Sequence, residues 1–323
     1  MAKLPPPQNR TAAAIYAWYE ARERLPENDW RRPHLGASQI GDENCLRHLW
    51  YSFHWAQAPG FEGRILRLFE TGQREEERVI ANLRAIGMRV EAVDPSTGEQ
   101  WRVTFAGGHI GGGSDGAVLG VIEAPKTWHL LEVKTSNERR FKELCKLGVR
   151  EAQPGHYAQM QIYMLGLGLT RALYICVHKD TDTIYTERVP FDREYAEALI
   201  RKAATVVDAP QPLSRISEDP AWHECKFCSH RPICHERQVG MIERNCRTCT
   251  SSATLPDGTW WCTHHDKILG LDEQRAGCDA HVFVPGLLPW DIVDADDDDR
   301  SVTYQTETGS RVTDQAKELR FHG

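Results

Sequence analysis

WHLLEVKT, residues 128–135, alternates apolar and charged positions as a half-buried strand does. On a strand, Leu131 and Val133 face one way while Glu132 and Lys134 share the other side. Behind this stretch come a helical pattern over 154–167, two strands, RALYICVHK and TIYTERVPF, and a helix over 193–207. Ahead of it, MRVEAV, WRVTF and SDGAVLGVI read as strands between glycine-rich or polar turns. Helical patterns over 11–24, 38–56 and 64–86 precede those strands, the last ending at Gly87 where a C-terminal cap is expected. Helices, several strands and helices again predict a mixed α/β core. No internal repeat is present.

The chain has 323 residues, enough for one core of about 200–250 residues plus an appendage. Hydrophobic residues at 41% and charged residues at 26% exclude a largely disordered or collagen-like chain. No apolar run approaches the roughly 18 residues of a membrane helix, and MAKLPPPQNR lacks the apolar segment of a secretion signal, so the chain reads as cytoplasmic with no membrane partner. The net charge of −7 argues against a uniformly basic coat for nucleic acid, so any such site must be a local patch or groove.

The charged strand positions carry the chemistry. Sixteen residues separate Asp115 from Glu132, enough for a strand end, a turn and most of the next strand, so antiparallel pairing brings Asp115 beside Glu132. Two carboxylates and Lys134 then share one site, a donor set that suits Mg²⁺ or Mn²⁺ together with substrate phosphate. The lysine can orient or help deprotonate water and stabilise charge on phosphorus. In HYAQMQIYMLG, Gln159 and Tyr163 lie four apart on one helical face, within reach of that lysine or of a DNA backbone. An isolated Glu-x-Lys is most often a solvated strand pair; Asp115 ahead and Gln159 and Tyr163 behind reverse that weighting. His109 and His156 are read as hydrogen-bonding structural residues.

This order of motifs resembles the PD-(D/E)XK nucleases of the RecB-like branch. The resemblance implies a restriction-endonuclease-like mixed sheet flanked by helices, with metal held by Asp115, Glu132 and the backbone carbonyl of Val133, and with Gln159 and Tyr163 supporting DNA binding and cleavage. It departs at ETGQREEERVI, where Gln73 follows Gly72 in place of the usual histidine ligand. An amide oxygen binds a transition metal less well than imidazole does, and Glu76 or Glu77 is the available substitute.

Seven of the ten cysteines fall between 225 and 278, a distribution that favours metal ligands over disulfides in a reducing compartment. Cys225, Cys228 and Cys234 form C-x2-C-x5-C, and Cys45, 180 residues earlier, is the candidate fourth ligand. A centre there staples the two ends of the nuclease unit. One upstream cysteine with C-x2-C-x5-C downstream resembles the iron-sulfur RecB-like exonucleases, including CRISPR-associated and AddB-like nuclease domains, which implies a 4Fe-4S cluster; spacing alone equally permits zinc. The resemblance covers residues 35–237. Cys246, Cys249, Cys262 and Cys278 have zinc-ribbon spacing for Zn²⁺, with His264, His265 and His281 as substitutes for one thiolate. Cys145 and Cys176 read as ordinary buried thiols.

Three segments are therefore expected: 1–240 as the nuclease domain with its cluster, 241–290 as a separately folded zinc-binding module, and 291–323 as an acidic linker and tail. DIVDADDDD at 291–299 carries six aspartates, and SVTYQTETGSRVT has the pattern of a terminal hairpin. The expected activity is that of a metal-dependent DNA exonuclease acting on single strands or ends in recombination, repair, phage DNA metabolism or CRISPR spacer processing, with recombination or CRISPR proteins as partners. The competing readings are a DNA-binding or adaptor subunit in which Gln73 marks a decayed site, and a zinc-ribbon regulator.

Overall fold

The computed structural model describes residues 9–23, Leu25 and 28–322; residues 1–8, which bear on the absence of a secretion signal, and Arg24, the end of the first expected helix, lie outside them. The helices are α1 (Arg10–Glu23), α2 (Ala37–Asp42), α3 (Leu46–Phe53), α4 (Gly63–Ala85), α5 (Glu138–Leu147), α6 (Val149–Ala152), α7 (Pro154–Leu167), α8 (Arg193–Val207), α9 (His223–Lys226), α10 (Arg231–Cys234) and α11 (Leu271–Ala276). The strands are β1 (Leu35–Gly36), β2 (Arg89–Glu91), β3 (Arg102–Phe105), β4 (Ile110–Gly113), β5 (Ala117–Leu119), β6 (His129–Ser136), β7 (Arg171–His178), β8 (Ile184–Pro190), β9 (Ser252–Thr254), β10 (Trp260–Cys262), β11 (Lys267–Leu269), β12 (Asp291–Asp296), β13 (Ser301–Gln305), β14 (Arg311–Gln315) and β15 (Glu318–His322). Among the described residues, no helix is long and apolar enough to cross a membrane.

The central sheet has the order β2-β5-β6-β7-β8, with β6 and β7 parallel and the other pairs antiparallel. Strand alternation gives it two apolar faces. Leu131, Val133, Leu173, Ile175 and Val177 pack with Val79, Ile80 and Leu83 of α4 on one side. Leu130, Ala172, Tyr174 and Cys176 face α7 and α8 on the other. Glu132 and Lys134 therefore point into the α7 side, under helix rather than into open solvent. That covering is what turns two ordinary strand charges into a site.

A small second sheet, β1-β4-β3, lies beside α7. β4 is Ile110-Gly-Gly-Gly113, and its glycines permit close packing: a Cβ on Gly112 would stand 2.8 Å from the Tyr163 hydroxyl. WRVTF thus forms a strand as expected, but in this sheet and not in the central one. The expected helix over 38–56 is two helices, α2 and α3, with Cys45 at the N-cap of α3 and extended backbone at Glu43. The break turns Cys45 away from the helical register that its neighbours would have imposed.

Residues beyond 240 do not pack as a separate body. Trp260, Leu269, Phe283, Val284, Leu287, Leu288 and Tyr304 belong to the same core as Trp50, Phe53 and Ile110. Arg247 is buried, its guanidinium 3.7 Å above the Trp55 ring, donating to the carbonyls of Phe53 and Pro33 at 3.0 Å each and to Gln274 Oε1 at 2.9 Å. The separate folding expected of 241–290 is corrected accordingly. The acidic run is also no simple linker: 291–296 is β12, an edge strand of the sheet β12-β13-β14-β15, whose β13 and β14 are the expected hairpin. Aspartates suit an edge, where charge discourages pairing with another chain. Asp314 pins this sheet to the core, accepting from the Phe283 N–H at 2.6 Å.

Candidate active site

β5 and β6 pair antiparallel with Ala117 opposite Leu130, a register that carries Asp115 to the level of Glu132. The Val133 N–H donates to Asp115 Oδ2 at 2.8 Å, which fixes the aspartate against β6 and leaves its other oxygen available. Glu132 is fully buried. Its Oε1 meets the Lys134 ammonium, and apart from that contact neither carboxylate oxygen has a hydrogen-bond partner. A buried carboxylate so poorly satisfied is costly unless another cation completes its surroundings.

The charges around it confirm the shortage of positive partners. Burial, with the repulsion of Asp115 and Glu76 behind it, pushes Glu132 up to about 7, against the pull of Lys134. Burial alone would depress Lys134, but Glu132 and Asp115 outweigh it and hold the ammonium above its usual range. Glu76 on α4 is likewise pushed up to about 7, by burial first and by Asp115 second. Three carboxylates thus face one lysine. Gln73, one helical turn before Glu76, is exposed.

α7 closes the site. Gln159 Nε2 donates to the Tyr163 hydroxyl at 3.3 Å, and Tyr163 is buried. Burial and then Glu132 push its phenol up to about 12, so it remains an O–H donor at neutral pH. All five catalytic candidates, Asp115, Glu132, Lys134, Gln159 and Tyr163, therefore converge. Sequence reasoning missed Asp42 on α2 and Arg140 on α5, both within electrostatic reach of Lys134 or of its neighbours. The Asn137 cap, whose side chain accepts from Arg140 N, was the available signal for α5. His156 bonds the Tyr174 hydroxyl at 2.8 Å and His109 the Leu255 carbonyl at 2.8 Å, structural roles for both.

The cysteines gather in two places. Cys45, Cys225, Cys228 and Cys234 line one pocket between α3 and the α9–α10 segment, with His48 Nδ1 3.3 Å from Cys228 Sγ. Burial first, then Glu43 and the Cys234 and Cys45 thiols, push Cys228 up to about 11. Cys246, Cys249, Cys262 and Cys278 line a second pocket with His264, His265 and His281, and burial with the other three thiols pushes Cys246 up to about 12. Thiols that oppose one another's ionisation in this way are what a bound cation reverses. Among the described residues, no group of three or more His, Cys, Asp or Glu side chains is placed so that it could hold a metal ion. Cys176 is buried as expected, whereas Cys145 is exposed on the polar side of α5, which corrects its reading as a buried thiol.

No family model and no curated protein matches the chain. Among solved structures, the alkaline exonuclease LHK-Exo from Laribacter hongkongensis is similar at TM-score 0.39 and 17% identity, covering 59% of this chain and 89% of that one. LHK-Exo in complex with dAMP is similar at TM-score 0.41 and 18% identity, over 55% and 87% of the two chains. SSO0001 is similar at TM-score 0.37 and 14% identity, over 70% and 96%.

Proposed function

We propose that the chain is a metal-dependent DNA exonuclease that hydrolyses phosphodiester bonds at single-stranded DNA or DNA ends. The observation that carries this reading is the buried, unsatisfied Glu132 carboxylate beside Lys134, Asp115 and Glu76. Asp115, Glu132 and the Val133 carbonyl would hold Mg²⁺ or Mn²⁺, with Glu76, one turn after Gln73, as the substitute for the histidine that Gln73 replaces. When bound, such an ion activates water and neutralises developing phosphate charge.

The chain's own groups do the rest. Lys134, kept charged by Glu132, donates to a phosphate oxygen or to the incoming water and acts as a fixed positive charge rather than as a base. Tyr163 offers its O–H to the substrate backbone, and Gln159 holds the phenol in place. Cleavage of an end-labelled oligonucleotide with and without Mn²⁺ tests the reading; cleavage that persists unchanged in chelator would overturn it.

Glu76→Gln is expected to raise the Mn²⁺ concentration for half-maximal activity about tenfold, because one anionic oxygen ligand becomes neutral. Gln73→His is expected to leave it unchanged, because position 73 is exposed on α4. A metal titration unmoved by Glu76→Gln would place α4 outside the metal site.

Cys45, Cys225, Cys228 and Cys234 are proposed to hold a 4Fe-4S cluster, and Cys246, Cys249, Cys262 and Cys278 a structural Zn²⁺; the shared pockets and opposed thiols support both sets. Anaerobically purified protein should be brown with iron and zinc both present. Cys45→Ser should lose the colour and lower the melting temperature, since the cluster joins segments 180 residues apart. Colourless wild-type protein with zinc in place of iron would make the first site a second zinc centre.

A further inference from the structure

Next to the carboxylate site is a cleft of about 310 Å³ lined by Trp101, Trp128, Arg89, Ala117, Leu167 and Leu169. Its position is fixed by backbone. The Trp101 carbonyl accepts from the Ser114 N–H at 2.9 Å, one residue before Asp115. The Trp101 indole N–H donates to the Glu91 carbonyl at 3.0 Å, and Gly116 presses on that same carbonyl, where a Cβ would come within 2.5 Å. Ala117 pairs with Leu130 and so lies on the sheet face that carries Glu132. The cleft therefore lies on the same sheet face as the carboxylates, tied to Asp115 through residues 114–117.

The chemistry of the lining is unusual for a solvent-facing cleft. Both tryptophans are only half-buried, and the Arg89 guanidinium lies 5.4 Å from the centre of the Trp128 ring, which holds that ring in position. At this volume the cleft is at the small end of pockets for organic ligands, roughly 300–1,000 Å³, which fits one base with its sugar and no base pair. The walls are mostly apolar, and the one charged edge, Arg89 and Glu91, is paired with itself at 2.7 Å, so the cleft selects a π-face rather than a base identity.

We infer that this cleft is a stacking subsite for one unpaired nucleobase of the strand whose phosphate lies at Asp115 and Glu132. The inference rests on the nuclease reading and deepens it. A base can enter only from a single strand or a frayed end, so the subsite confers preference for unpaired substrate without sequence readout.

The test is a cycle between Trp128 and the substrate, measured on the full chain with a labelled single-stranded oligonucleotide and Mn²⁺. Trp128→Ala should raise KM roughly 5- to 100-fold with kcat within about threefold, and Trp128→Phe should restore most of the affinity. An abasic nucleotide scanned along the oligonucleotide should cost wild type a similar factor at one position, and cost Trp128→Ala nothing further at that position. An unchanged KM in Trp128→Ala, or an abasic penalty that persists in full in that variant, overturns the inference. Should Trp128→Ala fail to fold, a flat abasic scan on wild type overturns it and a single sensitive position supports it. Wild type that cleaves no DNA fails the nuclease reading instead, and the same cycle read by fluorescence anisotropy of the oligonucleotide then decides the subsite.

Discussion

Glu132→Gln and Asp115→Ala each lose metal-dependent cleavage by on the order of 10³-fold or more; Glu132→Gln melts no lower than wild type, whereas Asp115→Ala, which strands the Val133 N–H, melts lower. The amide in Glu132→Gln keeps the volume of the buried side chain but removes its charge, and with it the anchor for the Lys134 ammonium. Stability should hold or rise, because the native carboxylate is fully buried with poor hydrogen bonding and is pushed up to about 7. Loss of activity together with retained or increased stability is the signature of a group kept for chemistry. Lys134→Ala should be equally inactive but less stable, since it leaves Glu132 without its one cationic partner. Cleavage at the wild-type rate in any of the three variants would remove the site assignment.

That site was legible because its determinants are local. Alternation in WHLLEVKT places Glu132 and Lys134 on one face whatever the strand packs against, and the distance to Asp115 fixes the hairpin register. α7 and α8 follow their apolar spacing, and their ends fall where sequence puts them. What sequence does not carry is which side chains meet across distant segments. Gln73 and Glu76 are both polar positions on α4, and only the packing of α4 on β2 and β6 decides that Glu76 enters the field of Asp115 while Gln73 stays exposed. The three glycines of β4 were visible as a turn-like stretch, yet Gly112 lets Tyr163 approach the backbone, while a Cβ on Gly111 would meet the Val103 carbonyl and one on Gly113 the Gln100 amide. The acidic run looked like linker because composition reports solvation, and an exposed edge strand is solvated too.

Truncating the chain after Gly240 should leave no folded protein. Composition argued that a cysteine-rich segment of about 45 residues must be stabilised by metal and would fold by itself. The structure gives that segment another source of stability: Trp260, Phe283, Val284, Leu287 and Leu288 are buried in the core that also holds Trp50 and Phe53. Each such side chain contributes about 1.5–3 kcal/mol, so their joint removal costs on the order of 10 kcal/mol, as much as a domain's whole stability. Arg247 gives the point-mutation form of the same test. Its guanidinium is buried with its nearest oxygens on Phe53, Pro33 and Gln274, and the Trp55 and Trp260 rings lie 3.7 and 4.7 Å away. Burial, with Arg275 nearby, pulls its pKa down to about 9, so the charge is held by carbonyls and π-faces and not by a carboxylate salt bridge. Arg247→Ala strands two backbone carbonyls and empties the space between two tryptophans, a loss of about 3–5 kcal/mol. Arg247→Lys should recover less than half of that, because an ammonium cannot lie flat on indole while reaching three acceptors. Chemical denaturation of the three proteins measures the differences, and an Arg247→Ala variant as stable as wild type would show that residues beyond 240 are an appendage after all.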